Sequence, residues 1–82
     1  MSIEAPAGWT RDGDALVKTF ARQGFDGAIA FVNRVAEVAS RQNHHPEIAI
    51  SWDRVTIRTW SHDAKTVTER DVALANAIDA LG

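Results

Sequence analysis

His44-His45-Pro46-Glu47-Ile48-Ala49-Ile50-Ser51-Trp52-Asp53-Arg54-Val55-Thr56-Ile57-Arg58-Thr59-Trp60-Ser61-His62 is the stretch on which the fold turns. Ile48, Ile50 and Trp52 share one parity, and Val55 and Ile57 share one face of the segment that follows. Side chains alternate across a strand, so two short runs with this period read as two half-buried strands. The connecting Asp53-Arg54 predicts a tight antiparallel hairpin between them. Thr56, Arg58, Trp60 and His62 then point away from the face that carries Val55 and Ile57.

Upstream, Pro46 cannot continue a helix and biases His45 away from the α region, so any preceding helix ends just before the two histidines. Ile29, Val32, Val35, Ala36 and Ala39 recur at helical spacing, Phe31 and Val38 widen the stripe, and Asn33, Arg34, Glu37 and Arg41 supply the wet side. This predicts a helix from Gly27 to about Arg41, with Asp26 as its N-cap. Further back, Asp12-Gly13 predicts a hairpin turn joining a strand at Gly8–Arg11 to one at Ala15–Arg22, because both residues tolerate positive φ. Leu16, Lys18 and Phe20 share one face of the second strand, and Ala15, Val17 and Thr19 the other.

Downstream, Thr68-Glu69-Arg70-Asp71 reads as a capping box, with Thr68 as N-cap and Asp71 at the third helical position. Val67 and Val72 flank it at the staple positions, and Val72, Ala75, Ile78 and Leu81 form an apolar stripe. The order is β-β-α-β-β-α. An α+β fold satisfies it, a four-stranded antiparallel sheet with both helices packed on one face and the other face partly open.

The 82 residues are enough for one domain, read as 1–82, and hold no cysteine, so disulfides and thiolate zinc sites are excluded. A core this small is usually reinforced, and self-association is the expectation. Nine Lys and Arg against eleven Asp and Glu give a formal charge of −2, no footprint for direct nucleic-acid binding. The start, Met1-Ser2-Ile3-Glu4-Ala5-Pro6, lacks the pattern of a signal peptide, and no apolar run is long enough to span a membrane. A cytoplasmic protein with no membrane partner is expected.

All three histidines, His44, His45 and His62, fall at element ends, where a scaffold presents functional groups. Histidine gives and takes protons near neutral pH. Adjacent side chains in an extended segment diverge, so His44 and His45 are expected to face a site differently. From composition alone, three scattered histidines, solvated or locally hydrogen-bonded, are the favoured reading. A metal centre is disfavoured, since adjacent histidines rarely chelate one ion and no pair has the i, i+4 spacing of a helical zinc site.

His44-His45-Pro46, five residues, Trp52, nine residues, His62, eight residues and Asp71 resemble the signature of the pterin-4a-carbinolamine dehydratase family. The segments Ala30–Ala36 and Thr68–Ala75 are similar too, so the resemblance runs from about Gly8 to Leu81. It implies an enzyme that dehydrates a 4a-hydroxytetrahydropterin to the quinonoid dihydropterin in tetrahydropterin recycling, assembled as a homodimer or homotetramer, with no metal or organic cofactor. His44, His45 and His62 match the family's active-site histidines: His45 and His62 are expected as the acid–base pair, with His44 orienting substrate.

Asp71, Ser61, Trp60 and Asn43 are the expected substrate-binding or supporting residues. Asp71 reads both as a carboxylate behind the histidines and as the capping-box acid. Trp60 reads as a partly exposed sheet-face residue or, with Ser61, as a contact for the pterin's pyrimidine edge. Trp52 is expected to pack a hydrophobic surface or a subunit contact. The sequence departs from the family at Ser40, where an ionisable residue usually stands four positions before the first histidine. The alternative function is a non-catalytic pterin-binding or protein-interaction module, and a different pterin, such as one of molybdenum-cofactor metabolism, is a third reading.

Overall fold

Two antiparallel hairpins, each followed by a helix, build the chain: β1 (Thr10–Asp12), β2 (Ala15–Ala21), α1 (Gly24–Gln42), β3 (Glu47–Ser51), β4 (Arg54–Thr59) and α2 (Glu69–Asp79). The computed structural model describes residues 3–82, so the first two residues of the leader reading lie outside it. The sheet order is β1-β2-β4-β3, and every pairing is antiparallel. The two hairpins therefore join along β2 and β4, with β1 and β3 at the edges.

Register puts the apolar residues on one face. Leu16 lies opposite Thr59, Phe20 opposite Val55, Ile48 opposite Ile57 and Ile50 opposite Val55. Directly opposed residues share a face, so these positions form the floor on which both helices pack. Leu16, Val55 and Ile57 are fully buried there with Val35 of α1 and Leu74 and Ile78 of α2. Trp9, just before β1, closes one end of the core edge-on to Phe20, its Nε1–H donating to Asp79 at 3.1 Å. The same carboxylate takes the Lys18 ammonium at 2.9 Å, tying β2 to the last turn of α2. The expected fold is the observed one.

Several local expectations need correction. β1 begins at Thr10 and β2 stops at Ala21. Gly13, at φ 60, opens a two-residue turn with Asp14, the geometry in which glycine leads. The second turn is Trp52-Asp53, not Asp53-Arg54: Ala21 pairs with Arg54, which draws Arg54 into the central strand. Trp52 takes the left-handed backbone of that turn at φ 58 and is 70% exposed, so it packs no surface of its own chain.

The first helix starts a turn earlier than Gly27, with Gln23 at the cap position and no side-chain cap. Asp26 is instead inside the first turn, where its negative charge complements the positive end of the helix dipole. The buried stripe runs through Ala28, Phe31, Val35, Val38 and Ala39. Ile29 and Val32 are half-buried and Ala36 is exposed, so the stripe is rotated from the expected one. In α2, Leu74 joins Ala75 and Ile78 in the core, while Val72 and Leu81 are half-buried. Among the described residues, no helix is long and apolar enough to cross a membrane.

Candidate active site

The end of α1 places the first two histidines. Asn43 takes the left-handed conformation at φ 51. The Asn43 N–H bonds to the Ser40 carbonyl at 3.2 Å and the His44 N–H to the Ala39 carbonyl at 3.0 Å. This pair of bonds is a Schellman motif, which stops the helix and turns the chain sharply. Pro46 follows and leads into β3. His44 is swung inward and is 8% exposed, whereas His45 is exposed. The two neighbours diverge as expected.

The end of β4 and the start of α2 hold the partner of His44. Asp71 is fully buried, and its carboxylate is saturated. Oδ1 accepts from His44 Nε2–H at 2.6 Å and from the Thr59 hydroxyl at 2.6 Å. Oδ2 accepts from the Ser61 hydroxyl at 2.8 Å and from the Thr68 backbone N–H at 2.9 Å. Four donors fill the four lone-pair directions of an ionised carboxylate. The last bond, with the Thr68 side chain, completes the capping box. Asp71 thus caps α2 and contacts His44 at once, and neither reading displaces the other. With its own proton given to Asp71, Ser61 accepts from the Thr68 hydroxyl at 2.6 Å.

Burial opposes ionisation of Asp71, but hydrogen bonds from Thr59, His44, the Thr68 backbone and Ser61 outweigh it and hold the carboxyl below its ordinary pKa. An ionised carboxylate only accepts, so the proton of His44 is fixed on Nε2. Nδ1 of the neutral ring is then an acceptor. This is how a supporting carboxylate sets a histidine's tautomer.

His44, His45 and His62 line one cavity of about 420 Å³ together with Asn43, Asp63 and Arg70. His62 is exposed, and its ring lies parallel to Trp60, centroids 4.6 Å apart and planes at 14°. Trp60 stands half-buried beyond β4, with the Arg58 guanidinium over its ring at 5.9 Å. Asp63 is paired with Arg70, whose hydrogen bond holds the Asp63 carboxyl below its ordinary pKa.

The structure therefore gathers the three histidines and Asn43, places Trp60 against His62, and puts Ser61 behind the site as a donor to Asp71. Ser40 is not part of it; it lines a separate depression with Ala36, Glu37 and Arg41. Sequence reasoning missed Thr59, Asp63 and Arg70. Thr59 had a signal, a polar residue on the core-facing parity of Val55 and Ile57. The Asp63–Arg70 pair joins a loop to a helix and had none. Among the described residues, no three His, Cys, Asp or Glu side chains converge to hold a metal ion.

A cavity with two exposed imidazoles and a third held by a buried carboxylate can deliver and remove protons on one bound molecule. Residues 2–81 match the family model described as Pterin 4 alpha carbinolamine dehydratase. A protein of Thermomicrobium roseum, provisionally named a pterin-4-alpha-carbinolamine dehydratase, is 50% identical over 74 residues, which is 90% of this chain and 80% of that one. A relative with the same provisional name in Thermosynechococcus vestitus is 45% identical over 90% of this chain and 78% of its own. Among solved structures, a Brucella melitensis protein described as a transcriptional coactivator/pterin dehydratase superposes with a TM-score of 0.84 at 29% identity, covering 90% of this chain and 81% of that chain. A pterin dehydratase-like protein described as a RuBisCO assembly factor of the alpha-carboxysome shares the fold, with a TM-score of 0.72 at 24% identity over 89% of this chain and 84% of that one. Along nearly its whole length, this chain belongs to the pterin-4-alpha-carbinolamine dehydratase family.

Proposed function

We propose that this protein dehydrates a 4a-hydroxytetrahydropterin to the quinonoid dihydropterin, in the recycling of tetrahydropterin. The observation that carries the reading is the cavity shared by His44, His45 and His62, with His44 fixed by the buried Asp71. The reaction breaks the C4a–O bond. One group protonates the departing hydroxyl, which leaves as water, and another removes the proton from the adjacent ring nitrogen. The electron pair of that N–H bond becomes the new double bond between nitrogen and C4a, so no oxidant, reductant or cofactor is called for.

His45 and His62, both exposed to the cavity, are the acid–base pair in this reading. Each transfer contributes about 10²–10⁴-fold to the rate. His44 is nearly buried and already committed through Nε2, which suits an orienting role through its Nδ1 acceptor. Asn43 and the Asp63–Arg70 pair complete the polar lining. The expected setting is a cytoplasmic homo-oligomer.

The test is the dehydration rate of freshly generated 4a-hydroxytetrahydropterin, followed by ultraviolet absorbance, for the wild type, His45→Ala and His62→Ala. Acceleration over the spontaneous rate that falls at least about 100-fold in each variant supports the acid–base assignment. A well-folded wild type with no acceleration refutes the enzyme. A second reading, an interaction module, has its own support: Phe25, Ile50 and Trp52 are large apolar side chains 49%, 37% and 70% exposed. It takes first place in that event.

A further inference from the structure

His62 belongs to two cavities. Besides the three-histidine cavity, it lines one of about 350 Å³ with Asp14, Ala15, Arg58, Trp60 and Lys65. Trp60 and His62, stacked ring on ring, both line this second space. His62 lines both spaces, so a substituent on a molecule seated among the histidines can extend past its ring into the second.

The charges in this annex are unequally committed. Arg58 is paired with Asp12 at 2.7 Å and lies 4.0 Å from Glu47, so its charge is largely answered. Asp14 supplies one negative charge to the lining. Lys65 is exposed and, among the described residues, makes no salt bridge and no side-chain hydrogen bond. Its backbone is left-handed at φ 58, a conformation glycine adopts freely and lysine does not. The loop is nonetheless pinned: Ser61 N–H bonds to the Thr66 carbonyl at 3.0 Å, and Arg11 donates to the Thr66 hydroxyl at 3.0 Å. A strained non-glycine residue on a fixed loop, bearing an unanswered charge over a cavity, is a candidate ligand contact.

We propose that this annex is a subsite for an anionic group on the substrate's pendant chain, with Lys65 as the cation that selects it. The proposal rests on the pterin reading above and narrows it to pterins that carry a negative charge, such as a phosphate ester. An ammonium on a short, held loop recognises phosphate as a point charge, without the planar geometry an arginine would impose.

The test is calorimetric binding of two probes, 6-hydroxymethyl-dihydropterin and its phosphate monoester, to the whole protein. In the wild type the phosphate ester binds roughly tenfold more tightly at low salt, and the ratio shrinks as salt screens the contact. Lys65→Ala, which keeps the same backbone demand as lysine, brings the ratio close to one, and Lys65→Arg retains most of it. Circular dichroism establishes that each variant is folded. Equal affinities in the wild type, or a preference that survives Lys65→Ala, overturn the subsite and leave the pterin site standing. Binding of neither probe overturns the pterin reading and this proposal with it.

Discussion

Replacing Asp71 by asparagine tests the centre of the site because it changes one atom and leaves the shape intact. The carboxylate accepts four hydrogen bonds, two on each oxygen. An amide has one accepting oxygen and one donating nitrogen. The Thr68 backbone N–H cannot reverse its direction, so the carbonyl must remain on the side of Thr68 and Ser61. The new NH₂ group then faces Thr59 and His44. Thr59 can rotate its hydroxyl to accept. His44 can accept only by moving its proton from Nε2 to Nδ1.

Bonds to a charged acceptor contribute about 1.5–3 kcal/mol against about 0.5–1.5 for neutral ones, and relief of the buried charge returns part of the difference. The net loss is about 2–3 kcal/mol. For a chain of 82 residues, whose total stability is on the order of 4–12 kcal/mol, that is a large share. It corresponds to a fall in Tm of roughly 10–20 °C. Asp71→Ala leaves donors unpaired in a dry site and costs more, enough to threaten folding. The assay is thermal unfolding by far-ultraviolet circular dichroism at neutral pH, with nitrogen-15 NMR reporting the His44 tautomer. A folded Asp71→Asn variant that melts within about 3 °C of wild type, or keeps the His44 proton on Nε2, refutes the account.

The pH profile of stability follows from the same group. The Asp71 pKa is lowered on folding, so the unfolded chain binds more protons, and the contribution of Asp71 is complete above its ordinary value near about 4 and lost as pH falls through its folded value. Acid titration of Tm therefore shows a steeper loss for wild type than for Asp71→Asn. Asn43→Val puts a β-branched side chain at φ 51 and costs about 1–2 kcal/mol, while Asn43→Gly does not, as chemical denaturation will report. Leu74→Ala empties a fully buried site between α2 and the sheet and costs about 2–5 kcal/mol in the same measurement.

The parts legible in the sequence are those set by short-range rules. Ile48, Ile50, Val55 and Ile57 disclose their strands because alternation is a two-residue property. Thr68 and Asp71 disclose a helix start because a capping box spans four residues. The capping role of Asp71 was readable for the same reason. Its bonds to His44, Thr59 and Ser61 depend on β4 and α1 meeting at the first turn of α2, which no local pattern encodes.

The turn at Trp52 was missed because tryptophan carries no turn signal. The central pairing of Ala21 with Arg54, decided elsewhere in the chain, fixes where β4 begins. Trp9 reaches Asp79 across nearly the whole sequence, and its burial was hidden for that reason. The rotated face of α1 shows the limit of periodicity: Ile29, Val32 and Ala36 have the right spacing, but the bulkier Phe31, its ring tilted against Phe20 at 4.9 Å, claims the core.

The sheet order also sets the tempo of folding. Each hairpin is closed by a two-residue turn and can form within microseconds on its own. The β2–β4 seam instead joins residues roughly 35 positions apart, with α1 in the intervening loop. The ordering entropy of that loop is spent before Phe20 meets Val55, which makes docking of the two hairpins the slow step. Substitutions along the seam should therefore slow folding, whereas those at the outer strands β1 and β3 should chiefly hasten unfolding.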